Sequence, residues 1–250
     1  MRRWSLLFFC LIGLNSLSFA QTWTLPPLSL IDSPTAGTLY RGSYVSNLRA
    51  YHNGGLLAGL AVGISNRFYV GISYGGENIL GEGKVNWNPD IGFQVAYRLI
   101  DENIALPGVS IGYQSQGYGP YLKESERYTI KSRGFYAAAS KNYSFLGDLS
   151  FHGGVNLSLE NNDTDEDLNF FIGAMKSLNP ELSVVAEYDL AINDNGSKSI
   201  GDGKGYLNIG LRWLFANRLA IQFHFKNLLE NKENVPSSNR EIKISYLEFF

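Results

Sequence analysis

Apolar residues recur at every second position through most of the chain after residue 38. Leu56 to Ile64 sets Leu56, Ala58, Leu60, Val62 and Ile64 against Leu57, Gly59, Ala61 and Gly63. Phe68 to Gly75 sets Phe68, Val70, Ile72 and Tyr74 against Tyr69, Gly71, Ser73 and Gly75. The same alternation runs through Ile91–Leu99, Val109–Ser115, Phe151–Glu160, Leu182–Ile192, Leu207–Phe215 and Leu219–Phe225. The chain ends on another such run: Ile242, Ile244, Tyr246 and Phe250 share one face, with Glu248 among them, and Glu241, Lys243, Ser245, Leu247 and Phe249 share the other. A period of two is the signature of a strand with unlike faces. Residues 39–51, 128–141 and 168–178 alternate less regularly and bring the expected strands to twelve.

The connections alternate in length. Short ones fall at Ser65–Arg67, Asp101–Leu106, Asn142–Gly147, Leu178–Pro180 and Ala216–Arg218. Longer, polar ones fall at 76–89, 117–127, 161–167, 193–204 and 229–239; the connection at His52–Gly55 is short but in the phase of the long set. The turns at Ser65-Asn66-Arg67 and Ala216-Asn217-Arg218 echo one another, as recurring hairpin chemistry does.

Twelve strands in an open sheet would leave two unpaired edges, so closure is expected. The apolar face then points either into a soluble sandwich or barrel, or out to lipid. Four features favour lipid. The strands run about nine to eleven residues, enough to cross a bilayer when tilted. An even count places both ends and all short turns on one side. Tyr74, Tyr97, Tyr113, Tyr128, Tyr143, Tyr188, Tyr206, Trp213 and Phe215 cluster near strand ends, where amphipathic rings meet the water–lipid boundary. The other face mixes glycine with ionisable groups that an apolar core would bury at high cost. The expected fold is all-β: a transmembrane antiparallel β-barrel of about twelve strands spanning residues 39–250.

The first twenty residues read as a cleaved export signal: Arg2 and Arg3, an apolar stretch from Leu6 to Leu14, then Ser18-Phe19-Ala20. The alternative is an uncleaved anchor. The single cysteine, Cys10, lies in this stretch, so the mature chain is expected to hold together without disulfides. Residues 21–38, with their Pro and Ser, are expected to be irregular and to lie in the periplasm or plug one end of the fold. The charge balance is slightly acidic, −2 over the whole chain, and gives no sign of a nucleic-acid partner.

The last strand resembles the terminal strand of bacterial outer-membrane barrels, whose final aromatic is read by the assembly machinery. That resemblance implies a role for Tyr246 and Phe250 as an assembly signal, and outer-membrane lipid and the assembly machinery as partners. The block Leu30-Ile31-Asp32-Ser33-Pro34-Thr35-Ala36, with Leu39 and Gly42-Ser43-Tyr44, resembles the amino-terminal segment of YjbH-like outer-membrane proteins. Pro107 to Tyr113, Gly117-Tyr118-Gly119 and Tyr136 to Lys141 are similar to a later part of that family. The resemblance implies a place in exopolysaccharide production or export, with polysaccharide or its export components as partners.

The expected lumen lining includes Arg98, Glu187, Asp189, Arg212, Gln222, His224, Lys226 and Lys243. Glu187 and Arg212 are expected as a near-diagonal pair on neighbouring strands. These groups either form a constriction for a polar solute such as a saccharide, or a salt-bridge network that fills a narrow barrel. Ser150 and His152 share a face, but no third group or oxyanion site accompanies them, so hydrolysis is the least favoured reading. The acidic loop Asn161–Asp167 lacks the pattern of a calcium loop and is expected as a solvated outer loop. Gly201–Gly205 lacks the helix that a phosphate loop requires. No cofactor and no metal are expected. The expected function is a pore or accessory component in envelope polysaccharide handling; the alternative is a closed barrel that works through its outer loops.

Overall fold

Alternating segments that cannot leave an edge unpaired close on themselves here. The computed structural model describes residues 24–231 and 239–250. The expected export signal at 1–20, with Cys10, the start of the 21–38 segment and most of the 229–239 loop lie outside these residues. Fifteen strands follow in chain order: β1 (Ser43–Tyr51), β2 (Gly55–Ser65), β3 (Phe68–Glu77), β4 (Asn86–Trp87), β5 (Gly92–Ile100), β6 (Gly108–Gln114), β7 (Tyr118–Leu122), β8 (Arg127–Ile130), β9 (Gly134–Ser144), β10 (Asp148–Leu157), β11 (Asn169–Ser177), β12 (Leu182–Asp189), β13 (Tyr206–Phe215), β14 (Leu219–Lys226) and β15 (Asn239–Phe249). Twelve of them form one antiparallel ring. β1 pairs with β15 on one side and β2 on the other, β2 continues to β3, and the ring runs on through β5, β6 and β9 to β14. β4 is a short addition to β3, and β7 with β8 is a separate hairpin.

The apolar face of each strand points outward. Ile72, Phe93, Ile111, Phe151, Ile172, Leu211, Phe223 and Ile244 are all exposed around the ring. The inward residues of the same strands are small, polar or charged: Ser110, Ser140, Asn156, Glu187, Asn208, Gln222 and Ser245 are buried. This inversion of a soluble core is what hydrocarbon selects, and the chain is a transmembrane β-barrel. The lumen has an apolar floor near the short turns, where Val45, Leu214, Ala220 and Leu247 meet Leu25 and Leu39.

The expected strand 128–141 divides in two. Its first part is β8, and the wall strand β9 begins only at Gly134. Gly134 has a φ of 58°, and a Cβ there would lie 2.0 Å from the Leu157 carbonyl oxygen. Only glycine turns the chain at that point. Tyr128 and Tyr206, expected at the lipid boundary, point inward instead and are buried. Tyr128 belongs to the inner hairpin, where it meets Tyr121 edge-on at 5.1 Å. The Tyr206 hydroxyl donates to Asp194 at 2.6 Å. The two echoing turns also differ: Ala216 and Asn217 are left-handed, whereas no residue of the Ser65–Arg67 turn has positive φ.

Glu248, a charged residue on the outer face of β15, pairs with Arg218 of the adjacent short turn at 2.9 Å and accepts the Tyr246 hydroxyl at 2.8 Å. Both partners sit at the rim, where a carboxylate stays wet. The outward face of mid-strand residues is therefore the sensitive one. Ile244→Arg is expected to lower unfolding stability in lipid vesicles by about 2–4 kcal/mol. Denaturant titration followed by tryptophan fluorescence measures it, and an unchanged midpoint would place Ile244 away from hydrocarbon.

Candidate functional site

Inside the ring lies the chain's own segment 24–39. It enters at the short-turn end, where the Leu25 N–H donates to the Asn217 carbonyl at 2.7 Å. It leaves at the same end, where the Thr38 hydroxyl donates to the Asn66 carbonyl at 3.0 Å and the Arg41 N–H to the Asn66 side chain at 2.9 Å. The two turns that echo each other in sequence thus receive the two ends of one segment. Between them the segment doubles back: Ser29 and Pro34 form a bridge, and the Leu30 N–H reaches the Ser33 carbonyl at 3.0 Å. Leu30, Ile31, Asp32, Ser33 and Ala36 are buried almost completely.

Its tip is held by charge. Asp32 meets Arg49 of β1 at 2.6 Å and Lys226 of β14 at 2.7 Å. Glu241 of β15 contacts Lys226 at 3.0 Å and Arg49 at 3.3 Å. Two cations and two carboxylates thus balance, which is the condition for burying charge without a large penalty. The Tyr118 ring of β7 covers both cations, 4.3 Å from the Arg49 guanidinium and 5.5 Å from the Lys226 amine. Burial pushes the Asp32 carboxyl up, but Lys226 and Arg49 outweigh it and hold the group well below the usual carboxylate range.

Beside this cluster the segment binds an anion of the wall. Glu187 of β12 accepts the consecutive backbone N–H groups of Ile31, Asp32 and Ser33 at 3.0, 3.0 and 2.8 Å, and the Asn208 amide at 3.0 Å. Three successive N–H groups around one carboxylate form an anion-binding nest. Arg133, buried beneath the tip, pairs with Asp189 and reaches the Asp32 carbonyl at 3.4 Å. Near the base, Ala36 is gripped from both sides. Its N–H donates to the Ser140 hydroxyl at 2.8 Å, and its carbonyl accepts Ser110 at 3.1 Å and Arg98 at 3.0 Å. His152 stands between Ser140 at 2.8 Å and Ser150 at 2.9 Å. Both ring nitrogens face hydroxyls, so this cluster orients Ser140 toward the segment.

The outer end is filled as well. Arg127 of the β7–β8 hairpin contacts Asp163 and Asp194, each at 2.6 Å, and Lys131 contacts Asp163 at 2.8 Å. Asp165 accepts the backbone N–H groups of Asn195 and Gly196 at 3.0 and 2.9 Å. The acidic loop 161–167, expected in solvent, therefore turns two of its aspartates inward as counterions to the hairpin. Among the described residues no group of three or more metal-ligating side chains converges. Asp202 and Lys204 of the glycine-rich loop form an exposed pair at 2.8 Å.

Of the expected lumen residues, Glu187, Asp189, Lys226 and Arg98 contact the segment or its supports as described above. Arg212 donates to the Leu25 carbonyl at 2.9 Å, and Lys243 to the Ser29 hydroxyl at 3.1 Å. Gln222 and His224 are buried on the same wall, with His224 Nε2 3.5 Å from the Gln222 carbonyl oxygen. The near-diagonal Glu187–Arg212 pair does not form. Asn208 stands opposite Glu187, and Ser183 stands opposite Arg212. Each of the two side chains bonds a different stretch of the segment instead. Sequence reasoning did not single out Asp32, Arg49, Arg127, Lys131, Arg133 or Glu241. Glu241 had a signal, since it shares a face with Lys243. Tyr246 and Phe250 lie on the outer face, where Phe250 stacks on Tyr44 at 6.1 Å.

No protein-family model matches the chain, and no curated protein matches it. Among solved structures, it is similar to the KdgM porin at 11% identity and a TM-score of 0.49, over 83% of this chain and 99% of that one. It is also similar to the outer-membrane protein Omp33 of Acinetobacter baumannii, at 10% identity and 0.46, over 84% and 98%. The NanC porin aligns at 10% identity and 0.40, over 83% of this chain and 98% of that one.

Two predictions follow from the buried charges. Arg49→Ala leaves Asp32 and Glu241 with Lys226 alone; removing one partner of such a network costs about 3–5 kcal/mol. Hydrogen exchange at the Ile31–Ser33 amides is expected to quicken in the variant, and unchanged protection would mean that the cluster does not hold the tip. The second concerns Glu160, which accepts the N–H groups of Tyr128 and Ser132 at 3.1 and 3.2 Å. Burial pushes its carboxyl up to about 7, against the pull of those N–H groups. A carboxyl raised on folding contributes fully below its ordinary value of 4.5, and the contribution is lost as pH rises through 7. Amide protection in the hairpin is thus expected to fall between pH 5 and pH 8, and Glu160→Gln to flatten that dependence.

Proposed function

We propose that this chain is an outer-membrane pore closed by its own amino-terminal segment and serving envelope polysaccharide handling. One observation carries the reading: a hydrophilic lumen is occupied by a segment that the wall binds through side chains rather than through strand pairing. A lumen meant only to be solid needs no separable insert. The segment runs in and out at one rim, so it can leave without breaking any pairing of the ring. The hydrogen bonds and ion pairs that grip its tip can be replaced by water when it leaves.

The polysaccharide context rests on the resemblance to YjbH-like proteins. The quoted blocks of that resemblance meet at one place. Leu30–Ala36 supplies the inserted tip, Pro107–Tyr113 supplies Ser110, and Tyr136–Lys141 supplies Ser140; both serines bond Ala36. The chain performs no catalysis in this reading: His152 and its two serines are docking groups. The exposed Phe250 and Tyr246 serve as the signal for barrel assembly.

Planar-bilayer conductance tests the proposal. A barrel carrying Ala36→Cys and Ser140→Cys is expected to be silent when oxidised and to show discrete conductance steps after reduction. Deletion of residues 25–38 is expected to conduct without reductant. Heat-modifiable migration on gels reports whether each variant is folded. A folded deletion variant that stays silent would sink the pore reading in favour of a closed barrel acting through its outer loops.

A further inference from the structure

A cavity of about 100 Å³ lies between the inserted segment and the wall. On one side it is bounded by Leu25 to Ser29. On the far side the wall presents Gly59, Ala61 and Ser73, residues too small to fill the space. The third side is a row of inward residues at one level of the barrel. Arg212 stands opposite Gln222, Gln222 opposite Lys243, and Lys243 opposite Arg49. All four line the cavity.

The charges in this row are not alike. Arg49 is neutralised by Asp32 and Glu241. Arg212 and Lys243 form no ion pair with any described residue. Arg212, only 7% exposed, has one hydrogen bond, to the Leu25 carbonyl, although its guanidinium offers five N–H donors. Lys243 has one, to Ser29. The nearby carboxylates are already committed: Asp32 and Glu241 to Arg49 and Lys226, and Glu187 to the nest and Asn208. Two cations enclosed in a membrane barrel with no counter-charge are costly. Neutral acceptors offset part of that cost; an anion offsets more.

We propose that the cavity is an anion site in which a small oxyanion, a carboxylate or a phosphate, bridges Arg212 and Lys243 with Gln222 between them. The backbones of β13 and β15 are two strand spacings apart, about 10 Å. Two long side chains leaning toward Gln222 span that gap with an anion at its centre. A guanidinium fork matches the paired oxygens of either group, and the amine adds a point charge. The site needs only the closed barrel and its insert; it does not require that the barrel conduct.

Isothermal titration of the full-length barrel in detergent tests this, with inorganic phosphate and acetate as separate probes. Saturable binding of one anion per chain is expected for at least one probe, and the probe that saturates identifies the oxyanion. Arg212→Gln and Lys243→Gln are each expected to weaken it ten-fold or more, while Lys204→Gln, at an exposed cation outside the lumen, leaves it unchanged. Heat-modifiable migration again verifies that the variants are folded. Absence of saturable binding of both probes to the unaltered barrel would overturn the site, and so would equal binding by Arg212→Gln. Because binding is read without conductance, either result leaves the pore reading to its own test.

Discussion

The whole arrangement follows from one constraint: a charge taken out of water must meet an opposite charge or a full set of hydrogen bonds. Placing apolar side chains outward satisfies the bilayer, but it sends the polar face of every strand into a narrow lumen. There the wall alone cannot balance itself. Arg49, Lys226 and Glu241 leave an excess of positive charge, which Asp32 of the inserted segment cancels. Glu187 meets no cation across its strand pairs and is instead satisfied by three backbone N–H groups of the same segment. The insert and the wall are thus incomplete without each other, and the reason is electrostatic rather than a matter of shape.

That dependence also explains why the insert remains separable. Backbone pairing in the ring is continuous and cooperative, so no wall strand can move alone. The segment 24–39 joins none of these pairings; apart from the Leu25 N–H on the Asn217 carbonyl, its hydrogen bonds to the wall involve side chains, which exchange for water one at a time. At the floor, Leu25 and Leu39 add apolar contact with Val45, Leu214 and Leu247, a seal that depends on the segment being seated. The outer end uses a second device of the same kind. Arg127 and Lys131 on the inner hairpin draw Asp163 and Asp194 in from the loops, so the cap too is fastened by charge.

The wall was legible in the sequence because a bilayer imposes a strict period on one face of each strand. Ile242, Ile244 and Tyr246 announce the last strand, and its neighbours read equally plainly. The inner hairpin was not legible, because it lies against the lumen wall and the outer loops with no lipid-facing side that must be apolar. Residues 128–141 therefore looked like one strand, and only the backbone geometry at Gly134 separates β8 from β9. The lumen charges on regular strands, such as Glu187 and Arg212, could be placed on the inner face by parity alone. Their partners could not, since those lie on a segment whose path across the lumen leaves no periodic trace. Asp32 and Arg49 are separated by only seventeen residues, yet nothing local indicates that the chain folds back to join them.

The same constraint orders the acidic loop. Four carboxylates within five residues, Asp163 to Asp167, would repel one another in solvent and keep the run extended. Here Asp163 lies between Arg127 and Lys131, and Asp165 accepts two backbone N–H groups, so the loop is ordered by cations and dipoles beneath it. Its remaining acidic members, Glu166 and Asp167, stay exposed. Two acids facing in and two facing out give one loop two tasks, closing the lumen below and keeping a hydrated, negative surface above. A cation bound at Asp163 would have to displace Arg127 or Lys131, which a buried, balanced cluster opposes. The two inward acids of this loop are therefore explained by the cations and backbone N–H groups they meet.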